Sequence, residues 1–181
     1  MKDDFPKLIS IRRTVVSPWL ELVARDVQFR SNSEIETYHA VAQPPYLVAV
    51  AITPERRILL VRQYRPAIQR FSLELPAGML EENEDPTDAM ARELLEETGY
   101  LIQSITLLGK GATCSSRIDN VTYSFLIETG ERVRDFVEEP GVSVSSTSLA
   151  ELRHLILSGD FTEQTHIGAI GLAQISGLIA F

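Results

Sequence analysis

Apolar residues recur along this chain with two different periods, and the changes of period mark out its elements. Two compact apolar runs, at 47–53 and 57–63, flank Pro54, Glu55 and Arg56. Short aliphatic runs on either side of a turn predict a β-hairpin. Residues 105–108 and 121–128 predict two more strands. The polar stretch between them, 109–120, predicts a loop of the length that often carries function. Before Pro44 and Pro45 the pattern is patchier, with the alternating Trp19-Leu20-Glu21-Leu22-Val23 and the turn-like Ser31-Asn32-Ser33. It reads as a small antiparallel β extension over residues 1–45, followed by the main domain over 46–181.

Helical spacing takes over in three places. Over 86–98, Asp85 is placed to cap the first turn, Pro86 suits the first helical position, and Gly99 can end the helix in the left-handed conformation. Over 149–157, Ser148 and Glu151 have the spacing of a capping box and Gly159 supplies the stop. The third helix is predicted from Glu163 to about Ile179, with glycines 168, 171 and 177 weakening it alone but permitting close packing. Strands and helices mix without strict alternation, which predicts an α+β chain, or a mixed sheet with flanking helices.

Composition narrows the class. A chain of 181 residues with 44% hydrophobic and 23% charged residues is globular and can bury a sizeable core. The weakly polar stretch 167–181 is shorter than a membrane span, and the first residues, Met1 to Pro6, lack the basic and apolar regions of a leader. The single Cys114 cannot form an internal disulfide, in keeping with a reducing cytoplasm. A net charge of −8 argues against nucleic acid as a partner. None of His39, His154 and His166 shows metal or nucleophile spacing, so each is expected to be structural.

The charge is concentrated rather than spread. Between Gly78 and Tyr100 stand eight acids and one base, Arg92, a local charge of −7, whereas the rest of the chain is nearly balanced. At about 100° per residue, Glu93, Glu96 and Glu97 fall within roughly a 100° arc of the first helix, and Ala91, Leu94, Leu95 and Thr98 face away from them. On an exposed helix such neighbours repel by only a few tenths of a kcal/mol per pair, so a solvated acidic face is one reading. Lining a cleft, at an effective dielectric of ~20 and ~6 Å, each pair costs close to ~3 kcal/mol and needs cations. All-oxygen ligands then select a hard ion, Mg2+ or Mn2+.

The spacing itself is specific. Gly78, Glu84, Arg92-Glu93-Leu94, Glu96-Glu97 and Gly99-Tyr100 fit G-x(5)-E-x(7)-R-E-U-x-E-E-x-G-U, where U is bulky and apolar and Tyr100 is the loosest match. This resembles the signature box of the Nudix hydrolases. The flanks Arg62-Gln63-Tyr64-Arg65 and Glu74-Leu75-Pro76-Ala77-Gly78, with the N-terminal extension, resemble the ADP-ribose pyrophosphatase or nucleoside diphosphate sugar branch. The resemblance implies an α/β/α sandwich around a mixed sheet. It implies that Glu93 and Glu97 are the main metal ligands, with Glu96 assisting and the Ala77 carbonyl contributing, and that Glu84 and Arg92 hold loop and helix together. It further implies that Arg65 approaches substrate phosphates and that Trp19 and Tyr38 stack an adenine. The general base is implied to come from a loop acid, Glu138 or Glu139, and the N-terminal parts to exchange in a homodimer. For Arg65 the alternative is a pairing with a surface acid; for Trp19 and Tyr38 it is a place in the core. The loop Cys114 to Asn120 departs from the branch, with Asn120 where an acid is usual, and Arg117 there either touches a phosphate or caps the sheet edge.

These readings together predict a metal-dependent cytoplasmic enzyme. It would hydrolyse ADP-ribose or a related nucleoside diphosphate sugar to a nucleoside monophosphate and a sugar phosphate. GDP-mannose or another such sugar is the alternative substrate, and a non-catalytic nucleotide-sugar sensor is the alternative of a different class. No nucleic-acid or membrane partner is expected.

Overall fold

The computed structural model describes residues 5–180; the rest of the first six residues read above for a leader, and Phe181 at the end of the expected main domain, lie outside them. Along the chain run β1 (Lys7–Ser17), β2 (Leu20–Gln28), β3 (Ile35–Ala42), β4 (Tyr46–Ile52), β5 (Ile58–Arg65), β6 (Arg70–Glu74) and β7 (Ala77–Met79). Helix α1 (Pro86–Thr98) follows, then β8 (Tyr100–Gly111), β9 (Ile118–Asp119), β10 (Thr122–Arg132), β11 (Val142–Thr147), α2 (Leu149–Ser158) and α3 (Gln164–Ile175). They form two compact units: one from the chain up to Pro44 together with Ala112–Val121, the other from Pro45–Gly111 and Thr122 onward.

The first unit is a four-stranded sheet in the order β1-β2-β3-β9. Its first three strands are antiparallel neighbours, and β9 joins parallel to β3 through Val41 and Ile118. The segment expected as a plain polar loop is thus divided: Gly109–Gly111 complete β8, and Ile118 with Asp119 form β9. Charged pairs stitch the sheet, with Arg12 on Asp26 and Arg25 on Asp119. Many of its large apolar side chains face solvent, among them Ile11, Val15, Val16, Leu22 and Ile35.

The second unit is built on a mixed seven-stranded sheet, ordered β11-β5-β4-β10-β8, with β6 on β5 and β7 on β4. Only β4 and β10 pair in parallel. Because successive strand residues point to opposite faces, β4 feeds two cores. Leu47, Ala49 and Ala51 meet Ala89, Met90 and Leu94 of α1, with Phe125 and Ile127. On the other face Val48, Val50 and Ile52 meet Leu152 of α2 and Ala169, Ile170 and Ala173 of α3. Helices therefore cover both faces, giving an α/β/α sandwich around a mixed sheet. Each fully buried Leu, Phe or Met contributes on the order of 1.5–3 kcal/mol.

The hairpin expected around Pro54 is present: the Thr53 amide donates to the Arg57 carbonyl at 2.8 Å, and Ile52 pairs with Ile58. Helix α1 spans the residues its caps predict, with the Asp85 side chain accepting from the Thr87 amide and Gly99 at φ 72°. The capping box of α2 forms with both of its bonds. Helix α3 ends earlier than periodicity suggests, at Ile175, because Gly177 at φ 70° turns the chain away. No helix among the described residues is long and apolar enough to cross a membrane.

Candidate active site

The acidic box folds as a loop and helix that grip each other. The Arg92 guanidinium donates two hydrogen bonds to Glu84, both at 3.0 Å, and one each to Glu93 at 3.0 Å and Glu96 at 3.1 Å. This fork holds the Glu84 carboxyl below its ordinary range. Facing it, the Ala77 amide donates to Glu97 Oε2 at 2.9 Å. Gly78 lies against Glu93 so closely that a Cβ at residue 78 would stand 2.0 Å from the Glu93 carboxyl carbon. A side chain at residue 78 would have to displace the Glu93 carboxyl from this place.

The buried face of α1 differs from the one its periodicity suggests. Ala89 and Met90 join Leu94 and Thr98 in the interior, whereas Ala91 is half-buried and Leu95 is 39% exposed. The core stripe is rotated toward the carboxylates. Glu93 is consequently only 17% exposed, while Glu96 stays at 57%. Burial pushes the Glu97 carboxyl up to about 8 and also raises Glu93. Loss of hydration disfavours the ionised form, and the single bond from the Ala77 amide does not restore it.

Among the described residues, no three His, Cys, Asp or Glu side chains converge closely enough to hold a metal ion as they stand. Arg92 occupies Glu93 and Glu96, and Glu97 is engaged by the Ala77 amide. The donor set nonetheless fits a hard divalent cation: it is all oxygen, two of its carboxylates are partly buried, and Glu97 forms no ion pair among the described residues.

At the other end of the Glu74–Ala77 loop the balance is reversed. Arg65 donates Nε to Glu74 Oε1 at 2.9 Å and Nη2 to Oε2 at 2.5 Å, and Gln63 adds a bond at 3.3 Å. Burial alone would raise Glu74, whose side chain is 3% exposed, but the guanidinium more than offsets it and holds the carboxyl below its ordinary range. Arg65 is therefore paired with an acid, and that acid is buried, not on the surface. Its Nη1 makes no hydrogen bond among the described residues.

The other expected residues fall in separate places. Glu138 Oε1 accepts from Arg132 Nη2 at 3.1 Å and from the Val144 amide at 3.3 Å, whereas the neighbouring Glu139 carboxylate has no hydrogen bond among the described residues. Arg132 also donates Nε to the Thr98 carbonyl at 2.9 Å, and Phe136 packs on Gly99, so the loop of Glu138 is fastened to the end of α1. Trp19, Tyr38 and Arg117 belong to the first unit. Trp19, 58% exposed, sits in the β1–β2 turn beside a 250 Å³ depression that it lines with Arg13, Glu21 and Pro44. Tyr38, also exposed, meets Phe29 edge-on at 5.8 Å and bonds Glu36. Neither aromatic ring is in a core. Tyr38 stands four positions from Ala42, the partner of Glu21 beside the Trp19 turn, so about 13 Å of strand separates the two places. Arg117 closes a turn on Cys114, and its carbonyl accepts from Val41; its guanidinium has no partner among the described residues.

Sequence reasoning missed a buried polar group behind the loop. His166 on α3 is fully buried; its Nδ1 accepts from the Leu75 amide at 2.9 Å, and its Nε2 lies 3.0 Å from the Tyr46 hydroxyl. Desolvation lowers it to about 4, so the ring is neutral. The only signal was a histidine set within an apolar helical stretch; its partners lie far away along the chain.

Comparison with known proteins agrees with this architecture. The NUDIX domain family model matches residues 43–163. The chain is 29% identical over 178 residues to an ADP-ribose pyrophosphatase of Bacillus subtilis (strain 168), covering 97% of this chain and 96% of that protein. It is 27% identical over 136 residues to a GDP-mannose pyrophosphatase of Yersinia enterocolitica, covering 70% and 71% of the two chains. A solved structure described as an ADP compounds hydrolase superposes with a TM-score of 0.80 over 96% of this chain and 95% of that one, at 20% identity, and so shares the fold. With the signature box formed as loop and helix on a mixed sheet and the family model matched over two thirds of its length, the chain belongs to the Nudix family.

Proposed function

We propose that this protein is a metal-dependent pyrophosphohydrolase that cleaves ADP-ribose or a related nucleoside diphosphate sugar to a nucleoside monophosphate and a sugar phosphate. The observation that carries the reading is the pair of partly buried carboxylates, Glu93 and Glu97, set against the Ala77-Gly78 backbone and both raised by burial. Near full-length similarity to an ADP-ribose pyrophosphatase supports the substrate class.

The residues divide the work. Glu93 and Glu97, assisted by Glu96 and the Ala77 carbonyl, would hold Mg2+, with Mn2+ as a substitute. When bound, such a cation polarises phosphoryl oxygens and favours ionisation of a water. Arg92 and Glu84 keep helix and loop together. Arg65, oriented by Glu74, directs its free Nη1 at the diphosphate. The base is a loop acid, and Glu139 is favoured over Glu138 because its carboxylate is not already engaged by Arg132 and the Val144 amide.

Trp19 and Tyr38 offer exposed ring faces to a base, and the unpaired Arg117 offers a guanidinium to a phosphate. A homodimer through the first unit is supported by its exposed apolar side chains, among them Ile11, Val15, Val16, Leu22 and Ile35. A cytoplasmic location is supported by the free Cys114.

GDP-mannose is the second reading, favoured by the Yersinia relative and by Asn120, whose side chain accepts from Thr113 at 3.1 Å in place of the usual acid. The test is hydrolysis of ADP-ribose, GDP-mannose and UDP-glucose, with Mg2+ or with EDTA, and product identification by chromatography. AMP and ribose 5-phosphate formed fastest from ADP-ribose, and only with metal, are the expected result. Preference for GDP-mannose would shift the assignment to the second reading. Tight ligand binding without turnover would replace the enzyme with a sensor.

A further inference from the structure

Between Glu74 and Gly78 the chain presents two amide protons, because Pro76 has none. Each is taken by a side chain from a different helix. The Leu75 amide goes to His166 Nδ1 on α3, and the Ala77 amide to Glu97 on α1, both at 2.9 Å. The Pro76 carbonyl accepts from the Ala49 amide of β4 at 3.0 Å. The loop is thus held at both amides and at the Pro76 carbonyl, and Leu75 lies at most about 7 Å along the chain from Ala77, so a shift at one is felt at the other.

His166 is itself rigidly set. Its acceptance of the Leu75 proton at Nδ1 places the ring proton on Nε2, which donates to the Tyr46 hydroxyl. Tyr46 stacks on the ring at 6.0 Å and Phe161 lies tilted at 6.5 Å, so aromatic rings flank it. A residue serving only to fill this core would be apolar; an imidazole satisfies two buried polar partners at a defined angle.

We infer that His166 is a positioning residue for the metal site: by accepting the Leu75 amide proton it fixes the backbone that presents the Ala77 carbonyl and seats Glu97. The inference rests on the metal-site reading above. It assigns to α3, on the sheet face opposite α1, a part in metal binding that the signature box does not contain.

The test measures Mn2+ affinity of the full chain by the electron paramagnetic resonance of free Mn2+, in wild type, His166→Phe, His166→Asn and Tyr46→Phe, with folding followed by circular dichroism. His166→Phe removes the acceptor and is expected to weaken Mn2+ binding by about tenfold or more, the range for a lost supporting bond. In His166→Asn the side-chain oxygen replaces Nδ1 and restores affinity to within about threefold of wild type. Tyr46→Phe keeps the Leu75 bond and stays within about twofold. A folded His166→Phe that binds Mn2+ as wild type does, or a folded His166→Asn as weak as His166→Phe, overturns the inference. Should His166→Phe not fold, the 15N spectrum of the wild type decides: Mg2+ must shift the Leu75 amide and the His166 ring nitrogens, and resonances that stay fixed while Ala77 moves overturn it. A wild type that binds no Mn2+ removes the metal-site reading itself, a failure distinct from any difference among the variants.

Discussion

Glu74 and Glu97 stand at the two ends of one short loop, and the same burial acts on both. Glu74 is the more deeply enclosed, yet its carboxyl is held below the ordinary range because Arg65 grips it with two bonds. Glu97 has one amide bond and no cation, and its carboxyl rises to about 8. The difference is the partner. A carboxylate given a guanidinium becomes part of the scaffold; one left without a counter-charge keeps an affinity for whatever cation can reach it.

Neutralising Glu97 breaks the comparison most severely. Glu97→Gln keeps the Ala77 bond through its side-chain oxygen, so the fold persists, but turnover should fall on the order of 10^2–10^3-fold. Steady-state rates with saturating Mg2+ check this, and a variant with wild-type activity would remove Glu97 from the metal set. Gly78→Ala attacks the same end sterically: its Cβ needs the space of the Glu93 carboxyl, and Mn2+ affinity should drop by about tenfold or more. Titration by calorimetry reads that loss.

At the scaffold end, Arg65→Ala leaves Glu74 buried and unpaired. Because the guanidinium is 40% exposed, the cost is about 1–3 kcal/mol, below that of a fully enclosed pair. Urea unfolding measures it, and adding Glu74→Gln to Arg65→Ala should recover most of the loss.

A further effect is a slope with pH in metal-free protein. Glu97, raised from 4.5 to about 8, binds a proton in the folded state that the unfolded chain has already released. Its contribution to stability is fully present below pH 4.5 and is lost as pH rises toward 8. His166, lowered from 6.5 to about 4, acts in the opposite sense: its contribution is present above pH 6.5 and is lost as pH falls toward 4. Melting temperatures in EDTA should therefore show Glu97→Gln gaining on wild type between pH 5 and pH 8. Saturating Mn2+ should erase that gain. Equal slopes for both proteins would mean that Glu97 is ionised throughout.

The scaffold was far more legible in the sequence than the partners within it. Helix α1 could be read to the residue because Asp85, Pro86 and Gly99 act within one turn of its ends, and local chemistry needs no knowledge of the fold. The seven fixed positions of the box were legible for the same reason. Strand β7, three residues long, was not, since it exists only by pairing with β4. Nor did periodicity show which way α1 would roll: Leu95 looks like core by hydrophobicity, but the small Ala89 is what lets the helix sit against Leu47 and Phe125. The Arg65–Glu74 pair was half visible, both residues standing out in the flanks but neither pointing to the other. His166 was set aside because its partners, Leu75 and Tyr46, are brought to it only by packing α3 on the sheet.

The parallel pairing of β4 with β10 has a consequence for how the molecule is made. Tyr46 must wait for Thr122, so the centre of the sheet closes around a long intervening segment, a non-local step of the kind that slows folding. During synthesis α1 leaves the ribosome before Phe125 and Ile127, two of the side chains it packs against. For that interval the nascent helix has an apolar stripe and no complete seat. The same density of acids that later serves the site would keep the waiting segment hydrated and apart from its neighbours.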